Sequence, residues 1–404
     1  MNVFEPRTFS TDWEVMVLDR LQRCLGTQQC DALAGALRAD LDLPIHTDDD
    51  TVEFGLGINH SLDEFWQRTK RATDRAAELV GQFDCDLFPA AAHPARWHFN
   101  ASHVHVGSIH DERAGIHLEN QLMRHTPAFA AMAANSPFAD FRGGRFKSYR
   151  VRHLAHHCTC PPSVRDPEVS QWTWGGDAMP KIYGVPTMEV RIIDCASSRR
   201  LLAEMATFIA AFVHHQGARI RRRRPTRQQY HENLTNRWSA ARFGMQAVFL
   251  WDGRPRPVAD VLDEMLDQCA DDLAELGAKR GDLGLVERMI RKRVCQADFV
   301  IELARRYDDP RRLTSAYAKL IRHWDVIDEY LDRAPTLEPA EAPDEQAILD
   351  EHLAFVGEGT HSYHLREAMC YPAGATERII EQMVRGGLVR REVTTSRGTL
   401  LHRV

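Results

Sequence analysis

Alternating apolar and polar positions predict several strands in the first half of the chain. In "TFSTDWEVMVLD", Trp13 and Val15 fall on one face while Asp12 and Glu14 fall on the other, because successive strand side chains point to opposite sides. The run "TVEFGLGI" predicts a second strand in which Glu53 is the single acid. Both strands therefore present carboxylates beside apolar neighbours.

Two further strands carry polar groups of other kinds. In "NASHVHVGSIH", His103 and His105 share one face, which suits a common ligand. The alternative is that both are ordinary core or surface histidines, since histidine is common at half-buried positions. In "TMEVRIIDC", Glu189 and Arg191 lie on the face opposite Met188.

Helical periodicity dominates elsewhere. It predicts helices at "DALAGALRADL", after an N-cap at Ser61, and from about His117 to Ala134. From Leu201 to about Arg333 the pattern is almost wholly helical, interrupted by a turn at "WDGRPRP". We expect these helices to form a layer packed on the sheet. Between them lies a loop-rich region with "RGGRFKSYRVR", "HHCTCPPSVRDP" and "QWTWGGDAMP".

The end of the chain differs in composition. Residues 334–346 are rich in proline, alanine and acids, which predicts a linker. Residues 347–404 then follow a helix-turn-helix order with a hairpin around Ser396 to Gly398, the winged-helix pattern. From Thr360 to Val404 there are seven arginines and four glutamates, an excess of 7 − 4 = 3 positive charges. That excess is small for a DNA-binding module, so docking of a protein or peptide is favoured over nucleic acid.

Composition is that of an ordinary soluble globular protein, with 44% apolar and 27% charged residues in 404. The sequence has no long apolar run and no signal-peptide pattern at its start, so we expect a cytoplasmic protein without a membrane segment. The nine cysteines are scattered, which favours reduced thiols. The net charge of −6 gives no general reason to expect a nucleic-acid partner.

The acids on the predicted strands raise an electrostatic question. Carboxylates buried near one another are costly unless a positive group lies between them. Oxygen ligands with one or two imidazoles suit magnesium or manganese better than zinc. The alternative is that each acid lies at a strand end in solvent. The cluster "HHCTC", His156 to Cys160, could bind zinc but has no second cluster of matching spacing, so a plain loop is favoured.

Several segments together resemble a known family. The strings "DWEVMVLD", "TVEFG", "HVHVG", "TPAFAAMAANSPF", "KSYRVR", "MEVRIIDC", "NRWSAARFG" and "RRYDD" look like those of the carboxylate-amine ligases, also called type 2 glutamate-cysteine ligases, in the same order. The resemblance spans roughly Phe9 to Arg333. It implies an α+β fold of the glutamine synthetase-like kind, in which a curved antiparallel sheet forms an active-site funnel backed by helices. Residues 1–333 would be the catalytic domain.

The resemblance also implies an activity. Such enzymes use ATP and Mg²⁺, or Mn²⁺, to join a carboxylate to an amine through an acyl-phosphate, and they often form homo-oligomers. The substrate would be a small amino-acid-like molecule or a peptide. One alternative is a peptide- or protein-modifying amide ligase whose winged-helix tail docks the substrate. Another is a DNA-binding regulator with a ligase-derived domain.

Residue roles follow from the matched motifs. The resemblance implies metal ligation by Asp12, Glu14, Glu53, His103 and Glu189. Arg191 would contact the transferring phosphoryl group, and His105 would lie nearer the phosphates or substrate, so that Arg191, His105 and Glu189 form the catalytic set. Further nucleotide contacts are implied for Lys147, Arg150, Arg237 and Arg242, and substrate contacts for Tyr149, Arg152 and His105. For Arg237 a structural role, bonded to backbone carbonyls, is the alternative.

The sequence departs from the family at the first strand. The family commonly has glutamate at the position of Asp12 and often another acid at the position of Trp13. Aspartate is one methylene shorter, so it can ligate a metal only if its strand lies slightly closer. The acceptor of the amine's proton is either a carboxylate or His105. The glycine-bearing segments "FRGGRF" and "TWGGDAM" are candidates for a closing lid that excludes water.

Overall fold

An antiparallel sheet of seven strands forms the centre of the molecule. The computed structural model describes residues 7–95, 98–109, 111–138, 146–153, 177–181, 186–221, 226–343, 360–361, 380–394 and 398–404. The strand order is β2-β3-β1-β5-β7-β6, and β4 pairs with the end of β1. The strands are β1 (Thr8–Leu18), β2 (Ile45–Asp48), β3 (Thr51–Gly55), β4 (Asp86–Phe88), β5 (Ser102–Gly107), β6 (Ala178–Lys181) and β7 (Thr187–Val190).

One face of this sheet is apolar. Trp13 lies opposite Phe54 across β1 and β3, and Val104 lies opposite Val190 across β5 and β7. The Trp13 indole is fully buried, donates to the carbonyl of Ala196 over 3.1 Å and has the Trp324 ring 5.8 Å away. An aromatic pair of this kind contributes about 0.5–1.5 kcal/mol beyond its buried area. Trp13 therefore serves the core, at the position where the family often has an acid.

Helices cover this apolar face and continue beyond it. They are α1 (Thr27–Leu41), α2 (Leu62–Gly81), α3 (Glu112–Leu122), α4 (Thr126–Ala133), α5 (Tyr149–His153), α6 (Arg199–Gly217), α7 (Arg227–Phe243), α8 (Val258–Gln268), α9 (Ala270–Glu275), α10 (Gly284–Lys292), α11 (Gln296–Ala304), α12 (Pro310–Ile321) and α13 (Val326–Arg333). The apolar helix α6 is almost entirely buried and contacts β1 and β5. The mixed helix and antiparallel-sheet architecture is thus as the sequence predicted. None of the described helices is long and apolar enough to cross a bilayer.

Local signals explain several helix boundaries. Ser61 caps α2 as predicted, its hydroxyl accepting a hydrogen bond from the Glu64 N–H at 3.2 Å. The single helix predicted from about His117 to Ala134 is instead two helices, α3 and α4, because the chain turns before Pro127 in the first turn of α4. The predicted turn at "WDGRPRP" lies within a hairpin of β8 (Val248–Trp251) and β9 (Arg254–Pro257). Asp252 and Gly253 at its tip both have positive φ, as a two-residue hairpin loop requires.

The segment after α13 has no helix or strand over residues 334–343. It is nevertheless fixed to the helical layer by main-chain bonds from Leu337 to Lys292 and from Ala340 to Gln246. In the tail, β10 (Thr360–His361), β12 (Gly398–Arg403) and β11 (Val389–Thr394) form an antiparallel sheet in that order. Of the helical segments predicted for the tail, the described residues include only a helix at residues 380–385, so the winged-helix module stays a prediction.

Gly55 provides a test of how closely the hairpin beside β1 is packed. A Cβ at this position would lie 2.5 Å from the Pro44 carbonyl oxygen, so Gly55→Ala should destabilise the protein by about 1–3 kcal/mol. Gly35→Ala is the matched control, since a Cβ there meets nothing within 4 Å on the exposed side of α1. It should stabilise the protein by up to about 1 kcal/mol. Urea unfolding of both variants measures this, and equal effects would contradict the packing argument.

Candidate active site

The second face of the sheet gathers most of the predicted chemical residues. Strand pairing sets Glu14 opposite Glu53, Asp12 opposite His103, and His105 opposite Glu189. Residues directly opposite on antiparallel strands share a face. Asp12, Glu14, Glu53, His103, His105 and Glu189 therefore project from four adjoining strands to the same side.

Glu189 is the central anion of this face. Its side chain is fully buried, and its Oε1 lies 3.3 Å from His103 Nδ1 and 3.5 Å from His105 Nε2. Burial alone would raise the pKa of Glu189, but the His103 hydrogen bond and the charges of His103, Arg191 and His105 hold it well below its usual range. Glu189 is thus an ionised carboxylate despite its burial.

Asp12 and His105 form a close pair. His105 Nε2 lies 2.9 Å from Asp12 Oδ2, and His105 Nδ1 lies 3.0 Å from Thr187 Oγ1. Burial would raise the pKa of Asp12, yet the hydrogen bond and charge of His105 lower it overall. The shorter aspartate therefore still reaches the shared site.

A second acidic group lies on the other side of His103. One oxygen each from Glu14, Asp48 and Glu53 lie within 4.8 Å of one another. Burial and the charges of Asp12, Glu14 and Asp48 raise the pKa of Glu53 to about 8. Burial and Glu14 likewise raise the pKa of Asp48. Among the described residues, no lysine or arginine forms an ion pair with these three carboxylates, and the more distant charges of Lys181, His103 and Arg191 only partly offset their repulsion.

Asp48 was absent from the sequence prediction. It ends β2 and enters the site because β2 pairs with β3 and directs Asp48 toward Glu53. The run "TDDDT" reads most simply as a solvated turn. The available signal was that this run could be the tip of a hairpin whose second strand is "TVEF".

Both groups fit a divalent cation. Asp12, His105 and Glu189 also place ligand atoms within 4.8 Å of one another, and carboxylate oxygens with an imidazole suit Mg²⁺ or Mn²⁺. His103 stands between the two groups, with Nε2 3.5 Å from Glu14 Oε1. The grouping thus favours His105 as a ligand, whereas the resemblance implied His103. Each ligand role stays a prediction.

Two cationic side chains border Glu189. Arg191 donates to Glu189 Oε1 over 2.8 Å, and Lys181 Nζ lies 3.1 Å from Glu189 Oε2. Lys181 was not predicted, because its segment "DAMPK" reads as loop, whereas the structure makes it the edge strand β6. Its register opposite Thr187 turns the lysine toward the acidic face.

Two buried arginines support the main chain of Arg191. Arg150 donates to the carbonyl of Arg191 over 2.9 Å, and Arg237 pairs with Asp177 over 3.1 Å. The Asp177 carbonyl in turn accepts from the Arg191 N–H at 2.9 Å. These contacts favour positioning roles for Arg150 and Arg237, and the Asp177 carboxylate is one partner of Arg237. Their nucleotide contacts remain predictions.

The remaining predicted contacts cluster around Phe146 and α11. Lys147 lies 2.5 Å from Asp298 and donates to Gln246 over 2.9 Å. The guanidinium carbons of Arg152 and Arg242 lie 4.2 Å and 5.2 Å from the Phe146 ring centre, and Tyr149 packs beside that ring. The predicted ligand contacts of these four residues, Lys147, Tyr149, Arg152 and Arg242, are untested by this geometry.

Some predictions lie outside the described residues. These are the candidate zinc cluster His156 to Cys160 and most of the two glycine-bearing segments. The described part of "TWGGDAM" is Asp177 to Met179, of which Ala178 and Met179 belong to β6.

Comparison with known proteins finds similarity to glutamate-cysteine ligases. The model of glutamate-cysteine ligase family 2 matches residues 178–316, a span that includes Lys181, Glu189, Arg191 and Arg237. A protein of Clavibacter michiganensis subsp. michiganensis (strain NCPPB 382) named "Putative glutamate--cysteine ligase 2" is 29% identical over 286 residues, which are 57% of this chain and 72% of that relative. The comparisons support an ATP-dependent ligase.

Solved structures share the fold. The glutamate-cysteine ligase of Francisella tularensis in complex with AMP superposes with a TM-score of 0.55 at 10% identity, covering 94% of this chain and 98% of that one. A bifunctional glutathione synthetase from Pasteurella multocida gives a TM-score of 0.54 at 12% identity and covers 81% of this chain. This chain spans about half of that larger protein, 53%.

The pKa of Glu53 leads to a test of the metal-free protein. The pKa of a glutamate without such surroundings is 4.5, whereas the pKa of Glu53 in the folded protein is raised to about 8. Between these values the folded state holds a proton that the unfolded state releases, so stability falls as pH rises. Replacing Glu53 by Gln removes this effect. The stabilisation by Glu53→Gln should be absent below about pH 4.5, grow up to about pH 8 and then level off.

Urea unfolding in EDTA at several pH values measures this difference. Glu329→Gln is the control, because Glu329 is an exposed glutamate on α13. A Glu53→Gln difference that does not change with pH would contradict the assignment. Added Mg²⁺ should reverse the pH dependence of wild-type stability, so that stability rises with pH, since a bound cation favours the ionised carboxylate.

Proposed function

We propose that the protein is an ATP-dependent carboxylate-amine ligase, similar to glutamate-cysteine ligases, which forms an amide bond through an acyl-phosphate. The observation that carries the proposal is the convergence of five carboxylates and two imidazoles on one sheet face, bordered by Arg191 and Lys181. A nucleotide triphosphate and divalent cations together supply the charges that such a face can bind.

The chemistry explains why this charge pattern is needed. A carboxylate oxygen is a poor leaving group until it is phosphorylated, and amide formation in water is unfavourable without coupling to ATP. Phosphoryl transfer spreads negative charge over the transferring oxygens, which fixed cations stabilise. Bound Mg²⁺ or Mn²⁺, held by Asp12, Glu14, Asp48, Glu53, His105 and Glu189, would supply most of that charge.

Arg191 and Lys181 would provide fixed positive charge at the same place. Arg191 is anchored through its main chain by Arg150 and Asp177, so little reorganisation is needed when charge develops. Because both side chains contact Glu189, they are aligned with the metal ligands. The attacking amine must lose a proton, which a neighbouring carboxylate on this face would accept, or His105 if His105 does not itself bind the metal.

A second candidate concerns the substrate. Among the described strands of the tail sheet, β11 has the single neighbour β12, and an edge strand of this kind can accept an extended peptide. This favours a peptide- or protein-modifying ligase whose tail docks the substrate, over a free amino acid as the only acid component. We propose a homo-oligomeric, cytoplasmic enzyme in either case.

Glu189 provides the direct test of the activity. The wild type with ATP and Mg²⁺ should release ADP and phosphate only when a suitable acid and amine from an amino-acid and peptide panel are present. Glu189→Gln should lower that rate by about 100-fold or more, since it removes a buried ligand at the centre of the face. Glu329→Gln should leave the rate unchanged. A wild type that does not bind ATP, or a Glu189→Gln variant with full activity, would refute the ligase.

The DNA alternative is tested on the full chain. A labelled duplex should not be shifted in a native gel at about 0.15 M salt, because the tail has an excess of only 7 − 4 = 3 positive charges. A shift that weakens with added salt and with Arg390→Gln, at an exposed position of β11, would instead favour a DNA-binding regulator.

A further inference from the structure

A second polar cavity lies in the helical layer, among elements that do not belong to the sheet. It has a volume of about 520 Å³ and lies between the ends of α3, α6 and α8 and the start of α7. Among the described residues that line it there is no carboxylate. Its polar lining includes Arg124, His215, Arg219, Arg221, Gln229 and Gln268.

Two of these basic side chains already have carboxylate partners. Arg124 pairs with Asp252 over 2.7 Å and stacks 4.0 Å above the Trp251 ring. His215 Nδ1 lies 3.0 Å from Asp272 Oδ2. These contacts fix the two side chains, so this wall of the cavity is preformed.

Arg219 and Arg221 are not compensated in the same way. Within the part of the chain that the structure describes, neither guanidinium is within ion-pair distance of a carboxylate. Arg219 donates to the carbonyl of His215 over 3.2 Å, and the Arg221 N–H donates to Gln121 Oε1 over 3.0 Å. The Arg219 guanidinium is thus held beside His215, whose Nδ1 lies 3.0 Å away, and the Arg221 backbone is anchored. Neither positive charge has a carboxylate partner among the described residues, in a protein whose net charge is −6.

We infer that this cavity binds a small molecule carrying a dianionic phosphate group. Two unmatched guanidinium charges equal the charge of one phosphate monoester, and guanidinium groups bind phosphate oxygens through paired charge-assisted hydrogen bonds. Gln229 and Gln268 also line the cavity, and the Gln268 amide, which donates one of its hydrogens to Glu264 over 2.8 Å, retains a second donor. The volume falls in the range of small-molecule sites.

This site is distinct from the candidate active site. The active-site face is acidic and selects cations, whereas the cavity is basic and selects an anion. None of its lining residues lies on β1, β3, β5, β6 or β7. The inference therefore does not rest on the proposed ligase activity.

Binding is tested with pyrophosphate as the probe, in EDTA to keep metal from the active site. Isothermal titration and thermal shift should show binding to the wild type that the double variant Arg219→Gln/Arg221→Gln weakens at least about tenfold. Arg306→Gln is the control, since it removes an exposed arginine paired with Glu302, and it should bind as the wild type does. Sodium chloride at equal ionic strength separates binding from salt effects.

A third variant distinguishes weakened binding from a loss of folding. Gln268→Glu leaves both arginines in place but adds a negative charge to the lining, and it should also weaken pyrophosphate binding. Unchanged binding in both pocket variants, or equal weakening by Arg306→Gln, would overturn the inference. So would a wild type that shows no more stabilisation by pyrophosphate than by chloride.

Discussion

Repulsion among carboxylates on one face of the sheet is the constraint on which the rest of the structure depends. Asp12, Glu14, Asp48, Glu53 and Glu189 lie together there, and burial together with the charges of neighbouring carboxylates raises the pKa of Glu53 to about 8. A fold selected only for stability would place apolar side chains at such positions, because buried charges seldom stabilise a protein. The arrangement is consistent with a face that is completed by bound cations.

The scaffold keeps these groups together by register. A shift of β1 by one residue against β3 or β5 would turn Asp12 and Glu14 into the core and expose Trp13. The fully buried Trp13, held by Ala196 and Trp324, makes such a shift expensive. On the other side, Arg150 and the Arg237–Asp177 pair fix the end of β7 at Arg191. Core packing and buried ion pairs therefore position the acidic face without contributing ligands to it.

Most residues of this acidic face could be predicted from the sequence, but the residues that enter it from adjacent short strands could not. Alternation within single strands was enough to place Asp12 with Glu14 and His103 with His105, because period-2 patterning is a local property. The entry of Asp48 and Lys181 depends on which short strand pairs with β3 and β7, a tertiary choice that "TDDDT" and "DAMPK" do not reveal. The partners of Arg150 and Arg237 were missed for the same reason, since each lies more than 40 residues away. At "WDGRPRP" the sequence predicted only the turn and not the two strands of the hairpin.

The segment after the last helix α13 limits how the tail can serve the active site. Composition predicted a linker over residues 334–346, and within it Gln246 donates to the Glu338 carbonyl over 2.9 Å and its own carbonyl accepts from the Ala340 N–H. The same glutamine accepts from Lys147, which pairs with Asp298. The start of the linker is thus fixed to the loop that carries the predicted substrate contacts. A tail that docks a peptide would therefore extend from a segment that is fixed to the helical layer at Leu337 to Ala340.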